Sequence, residues 1–515
     1  MNTTAFVWLI ALPMVASPVI YLAGRLAARD SQSAAQNRAA YGAGLLALGA
    51  TWIPFVLAAR ELSLAGPATY TVGMVSLRLD GLSLLLSAVA LALGTLVMLY
   101  SGPYLAHEVG QEKYYAMLSA MVGAMIGLAC AADLFNLWIW FETMAVSSYL
   151  LVAFYREERA SLEAGVKYLV QSAVGSVTVL LGIALVLAQT GTIHLDEIQG
   201  AVAMGSATRA LWAAGALFVV GFGVKTALVP LHTWLPDAHA QAPSGISAML
   251  SGVVIEAGLV AMLRPLVALG GLSLMAGVSW GALLMGFGAL NMLVGNLLAL
   301  RQTQVKRLLA FSSISHVGYM LVGIGVGLYA GQAAGVQGGF FHLLNHGLMK
   351  GLAFLAAGAL LYALHLSHKQ ATGEMETRPL TVNDLSGAAQ RYPLVALALS
   401  VAVLGLGGLP PLAGFMSKWQ IFVAGFATHN LLIGLLVAFA ALNSVLSLAY
   451  YAPLVNAVYR RQPSVAMLQG QPLPVAMRVP LILLMLAVVA IGVWPSLVNW
   501  LTGPAGSAVL IAWGR

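Results

Sequence analysis

Long apolar runs follow one another from end to end of this chain, at about 5–24, 39–59, 79–100, 114–132, 134–154, 166–188, 209–230, 244–264, 276–300, 305–329, 335–363, 391–425, 430–459 and 478–498. Roughly 20 apolar residues carry an α-helix across a bilayer, so the pattern predicts an all-α integral membrane protein of about fourteen transmembrane helices. The polar intervals are short, and no soluble domain fits between the runs. The first run lacks the basic leader and small-residue cleavage pattern of a removed signal, and is read as a span that the mature protein keeps.

Composition removes the alternatives. Of 515 residues, 60% are apolar and 8% charged, against about a quarter charged in a soluble domain, and the mean hydropathy is +0.89. The net charge of +7 comes from 24 Lys and Arg that are scattered through short loops, which excludes nucleic acid as a partner. The single Cys130 leaves no intrachain disulfide and no thiolate metal cluster. Gly221 and Gly223 follow no predicted strand, so they serve close helix packing rather than a dinucleotide.

Basic residues orient the helices, because cytoplasmic loops are enriched in Lys and Arg. One alternate set of loops, running from Arg25 through Lys113, Arg156, Arg301 and Arg391 to Arg478, holds fifteen of them. The other set holds five, namely Arg60, Arg78, Arg209, Arg264 and Arg515. This bias places both termini on the non-cytoplasmic side of an inner (cytoplasmic) membrane.

Four lysines, Lys167, Lys225, Lys350 and Lys418, and two acids, Glu142 and Glu256, fall inside apolar runs. A charge at a helix centre costs about 2.5–3.5 kcal/mol on insertion scales, so these six are the first functional candidates. Lys225 precedes Pro230, which removes a helical hydrogen bond and breaks the helix. A lysine beside such a break, with Glu142 available to pair with it, gives up and regains a proton at little cost. Pro410 and Pro411 repeat the device before Lys418. His342, His346 and Lys350 stand at i, i+4 and i+8 on one helical face, and His316 adds a further titratable group.

Plainer readings stand beside these. Glu142 and Lys225 could form a structural ion pair, and Lys167, near a helix start, could snorkel to the interface. His342 and His346 have zinc-pair spacing, but no third ligand follows on that helix, so no metal site is predicted. His232, Asp237 and His239 read as polar contacts in a loop. The stretch from Lys369 to Arg391, with Glu374, Glu376, Arg378 and Asp384, reads as a solvated loop and a candidate contact for a cytoplasmic partner.

Three motifs carry a resemblance: Gly-Val-Lys225-Thr-Ala-Leu-Val-Pro-Leu-His-Thr-Trp-Leu-Pro-Asp-Ala-His, Lys306-Arg-Leu-Leu-Ala-Phe-Ser-Ser-Ile-Ser-His-Val-Gly-Tyr-Met, and Gly-Leu-Pro-Pro-Leu-Ala-Gly-Phe-Met-Ser-Lys418. Together they resemble the antiporter-like membrane subunits shared by respiratory complex I, membrane-bound hydrogenases and Mrp-type sodium/proton antiporters. The resemblance spans nearly the whole chain. It implies fourteen helices: helices 1–3 in 1–113, one five-helix repeat in 114–264, a second, inverted one in 276–459, and helix 14 with a tail in 478–515, each repeat having one broken helix. It implies that Glu142 is the segment 5 glutamate, Lys225 its lysine partner and Lys418 the terminal lysine of segment 12. His316, His342, His346 and Lys350 fall on the central polar axis, and Lys306 matches a lysine that opens segment 10. Glu256 departs from the pattern, standing where many relatives place a lysine, and is expected to pair with Lys225 or Lys350. With only about 17 residues after position 498, the chain looks like the shorter NuoM/NuoN or Mrp-D class.

The resemblance implies a proton-translocating subunit of a redox-driven complex, with protons entering near Lys225, passing Glu256, His316, His342 and Lys350, and leaving past Lys418. No cofactor is expected in this chain; flavin, iron–sulfur clusters and quinone belong to partner subunits, so any enzyme activity is theirs. Other antiporter-like subunits and the bilayer are the expected partners. The alternatives are a subunit of a sodium/proton antiporter and a structural membrane subunit that conducts nothing.

Overall fold

The computed structural model describes residues 3–29, 37–72, 75–204, 209–270, 279–372, 379–464, 467 and 472–513. Glu374, Glu376 and Arg378 therefore lie outside the described residues. The chain opens with α1 (Thr3–Arg29) and α2 (Arg38–Ala65), then an antiparallel hairpin of β1 (Ala68–Val72) and β2 (Val75–Leu79) that pairs Ala68 with Leu79. Tyr70 of the hairpin donates to Glu61 near the end of α2 (2.5 Å), and burial together with that carboxylate pushes its hydroxyl up to about 12.

Helix α3 (Gly81–Tyr104) begins at a reciprocal cap, Asp80 accepting from the Ser83 amide and Ser83 accepting from the Asp80 amide, both at 2.8 Å. There follow α4 (Gln111–Ala129), α5 (Leu134–Val152), α6 (Arg159–Thr190), the short α7 (Leu195–Ala203) and α8 (Arg209–Thr226). After an irregular turn come α9 (Trp234–Gln241) and α10 (Ser244–Met249), which passes through a π turn at Leu250–Val254 into α11 (Ile255–Ala268). The second half holds α12 (Trp280–Ala299), α13 (Val305–Ala330), α14 (Ala333–Thr372), the single turn α15 (Ala388–Arg391), α16 (Pro393–Gly407), α17 (Ala413–Phe426) and α18 (Leu431–Val458). Two further helices, α19 (Val475–Val493) and α20 (Asn499–Ala512), end the described chain.

Eleven of the described helices are long and apolar enough to cross a membrane. With α4, α5 and the interrupted pair α16–α17 the count agrees with the fourteen predicted segments. The run at 391–425, read as one segment, is two helices, because Gly408 takes a left-handed conformation (φ 82°) that ends α16 and Pro410 and Pro411 cannot continue it. The hairpin, α7, α9 and α20 have no counterpart in the predicted segments.

Burial sorts the helices into layers. The apolar windows of α10–α11 and α13 are wholly buried and that of α14 nearly so, whereas α18 and α1 bury about a third or less. A helix apolar all round and buried all round belongs at the centre of a bundle. Helices α12 and α13 pack closely along their length, since a methyl group at Gly288 would come within 2.8 Å of the Gly318 carbonyl oxygen and one at Gly281 equally near that of Gly325. Small residues at such crossings let helix backbones approach closely.

At one end of the bundle Arg264 of α11 forms a bidentate pair with Asp80, its second nitrogen lying 2.9 Å from Oδ1 and 2.7 Å from the Ala129 carbonyl. Arg78 reaches the same carboxylate at 3.3 Å and Asp196 of α7 at 2.7 Å. The pair thus ties the hairpin, α3, α4, α7 and α11 together.

Candidate functional site

The two helix breaks create the site. At the first, α8 stops at Thr226 and Ala227 takes φ 57°. Asn291 of α12 meets the freed backbone, accepting from the Val229 amide (2.9 Å) and donating to the Ala227 carbonyl (3.2 Å). Irregular backbone at membrane depth persists only where such partners exist. Lys225, in the last turn of α8, is wholly buried. Its ammonium donates to the Tyr168 hydroxyl (2.9 Å) and to Ser172 Oγ (3.1 Å), both on α6, and lies 4.2 Å from the Tyr168 ring centre. Tyr168 in turn stacks on Trp234 of α9, with ring centres 3.9 Å apart and planes 2° from parallel.

This corrects the expected Glu142–Lys225 pair. Among the described residues no ion pair joins them, and Glu142 Oε1 has no hydrogen-bond partner. Glu142 is only partly buried and lies near enough to Lys225 to act on it electrostatically without touching it. Lys167 is corrected as well: it is half exposed and bridges Glu163 (2.6 Å) and Asp237 (3.2 Å), so the snorkelling alternative describes it better than a charge buried among apolar side chains.

At the second break, Lys418 of α17 turns its ammonium back onto the end of α16, donating to the Leu406 carbonyl (2.7 Å) and to Ser444 Oγ (2.8 Å). Ser444 also donates to the Gly407 carbonyl (3.0 Å). A cation is favoured there by the unpaired carbonyls of a helix C-terminus. The Tyr319 ring lies 4.6 Å from Lys418 Nζ, so each lysine at a break has one serine and one tyrosine face.

Between the breaks the structure brings together the central candidates. Glu256 of α11 accepts from or donates to His346 Nδ1 at 2.9 Å, and both side chains are fully buried. The expected pairing of Glu256 with Lys225 or Lys350 does not occur: Lys350 donates instead to Ser312 Oγ and to the Leu309 carbonyl (2.7 Å) on α13. His316 Nδ1 and His342 Nε2 are 3.0 Å apart, His342 Nδ1 meets Ser417 Oγ at 2.9 Å, and Tyr451 approaches His316 Nε2 at 3.4 Å. The His346 and His316 rings are 5.3 Å apart by their centres. A line of polar side chains thus runs from Glu256 to Ser417, the residue before Lys418, hydrogen-bonded at each step except between the adjacent rings of His346 and His316.

Two residues that the sequence reading assigned to a loop belong to this arrangement. His239 of α9 is fully buried, stacks on Phe354 (4.8 Å), and has no hydrogen-bond partner on either ring nitrogen. Lys306 and Lys350 are both near enough to act on it electrostatically. Asp237 sits between Lys167 and Arg307 (2.5 Å). Lys306 donates to the carbonyls of Ala242 (2.5 Å) and Ala240 (3.5 Å). It also lines a cavity of about 950 Å³ together with Tyr104, Lys113, Arg156, Gln304 and His365.

The architecture defines a class of protein: a many-helix membrane chain that buries a line of lysines, histidines and one acid between two interrupted helices. A family model described as NADH:quinone oxidoreductase/Mrp antiporter, TM, matches residues 131–447, and one described as NADH-Ubiquinone oxidoreductase (complex I), chain 5 N-terminus, matches residues 70–115. The NADH-quinone oxidoreductase subunit N of Deinococcus radiodurans is 34% identical over 491 residues, 90% of this chain and 94% of that one. The F(420)H(2) dehydrogenase subunit N of Methanosarcina mazei is 32% identical over 427 residues, 83% of each. A chain of the membrane-bound sulfane sulfur reductase, an archaeal respiratory membrane complex, superposes with a TM-score of 0.85 at 27% identity, covering 98% of this chain and 97% of that one. The chain belongs to the NADH:quinone oxidoreductase/Mrp antiporter family of membrane subunits.

Proposed function

We propose that this chain is a proton-translocating subunit of a redox-driven respiratory membrane complex, in which partner subunits hold the flavin, iron–sulfur clusters and quinone. The observation that carries this reading is the buried line from Glu256 through His346, His316, His342 and Ser417 to Lys418. Histidine is the side chain best matched to proton exchange near neutral pH, and a buried acid and lysines beside it extend the range. Two five-helix repeats, 114–264 and 276–459, each contribute one helix break with its lysine. Protons enter from the cytoplasmic side, where Lys113, Arg156 and Lys306 line one cavity. They reach the axis through His239 and Lys225 and leave past Lys418. Glu142 tunes Lys225 at a distance. The excess of basic residues in alternate loops supports cytoplasmic orientation of that cavity and external termini.

The test is proton transfer by the purified complex in vesicles. Replacing Lys225 by Ala removes coupled transfer while the complex still assembles; full pumping by that variant overturns the reading. The family description that includes Mrp antiporters favours a second reading, a sodium/proton antiporter subunit. Sodium-dependent proton movement without an electron donor distinguishes it.

A further inference from the structure

We propose that Asp237 is a positioning residue for the relay: its carboxylate is the latch that fixes the short helix α9 between the two halves of the bundle. The inference rests on the proton-relay reading and adds a control point to it.

Helix α9 has eight residues, too few to be stable alone, and irregular backbone precedes it. Contacts at its two ends and on one flank therefore decide where it lies. At the start, Thr233 accepts from Gln171 of α6 (2.5 Å) and Trp234 donates from its indole to the Val224 carbonyl (2.7 Å). At the end, Lys306 of α13 holds the Ala240 and Ala242 carbonyls. On the flank, Asp237 divides its two oxygens between Lys167 of α6 and Arg307 of α13. This one carboxylate is bonded to helices from opposite halves of the chain.

What α9 carries gives the latch its purpose. Trp234 stacks on Tyr168, which bonds the Lys225 ammonium, and the buried His239 stacks on Phe354 of α14, near enough to Lys306 and Lys350 to feel their charge. On α6, Lys167 and Gln171 hold α9 while their neighbours Tyr168 and Ser172 hold Lys225. A shift of α9 therefore moves the surroundings of Lys225 and His239 together. The three charged groups of the latch are each about a third to a half exposed, so they can part and rejoin without opening the apolar core.

The experiment uses the full chain purified with its native partner subunits. Hydrogen exchange of the 237–242 amides and proton transfer are measured for Asp237→Asn, Asp237→Glu, Lys167→Gln and Arg307→Gln. Asp237→Asn raises exchange in α9 about tenfold and lowers proton transfer roughly ten- to a hundredfold, and Asp237→Glu restores both. Adding Lys167→Gln or Arg307→Gln to Asp237→Asn changes nothing further, because the shared carboxylate is already gone. Unchanged exchange in Asp237→Asn overturns the latch, as does faster exchange with unchanged transfer. Should Asp237→Asn fail to assemble, Arg307→Gln decides: faster exchange with slower transfer supports the latch, and any other result overturns it. Loss of the relay reading itself would show separately, as unaffected transfer in Lys225→Ala.

Discussion

Glu256 and His346 meet at 2.9 Å in the fully buried centre of the bundle, with Glu256 Oε2 and His346 Nε2 left without partners. Their shared contact uses one polar atom of each, and in the proposed relay the other atom of each is the end at which a proton arrives or leaves.

Glu256→Gln preserves shape and one hydrogen bond to His346 but removes the exchangeable site. Proton transfer falls on the order of a hundredfold, within the range assigned to positioned acid–base groups, while assembly is retained. Acid-jump measurements on vesicles holding the variant complex check this.

Tyr168→Phe removes the hydroxyl that receives Lys225 at 2.9 Å and meets Ser148 at 2.9 Å, but keeps the ring stacked on Trp234. The lost bonds cost about 0.5–1.5 kcal/mol each in stability. Transfer drops by about tenfold, less than in Lys225→Ala, because Ser172 still holds the ammonium. Comparing the two variants in the same vesicle assay checks the order.

Asp80→Ala strands Arg264, which is buried at the far side of the bundle. Breaking a buried pair from one side costs about 3–5 kcal/mol. Thermal unfolding of the purified complex registers the loss, while transfer per assembled complex stays within about twofold, as for a residue away from the relay.

Asn291→Leu leaves the Val229 amide and the Ala227 carbonyl at the first break without partners. Each unsatisfied group costs about 1–3 kcal/mol. Hydrogen exchange at the 227–229 amides rises in this variant, and Asn291→Gln restores protection only in part because its longer side chain misplaces the amide.

The span pattern, the two breaks and the central lysines and histidines were all legible in the sequence, because charge and proline inside apolar runs are rare enough to be conspicuous. What was illegible is who touches whom. Lys225 was expected beside Glu142 on grounds of opposite charge, yet hydroxyls of Tyr168 and Ser172 hold it, and contacts between helices leave no periodic mark. His239 read as a loop residue because a linear pattern does not reveal that the segment after Pro230 turns back into the bundle. The hairpin at 68–79 was missed since two five-residue strands between long apolar runs offer too few alternations to register.

The close contact of α12 with α13 has a mechanical consequence. Gly281, Gly288 and Gly295 recur every seven residues and face Gly325, Gly318 and Ser315 so tightly that a lengthwise slide of either helix would drive side chains into the opposing backbone. Helix α13 carries His316 and Ser312, and α12 carries Asn291 at the first break. The two helices are thus locked to each other along their length, so His316 and Ser312 keep a fixed register with the Asn291 that holds the first break.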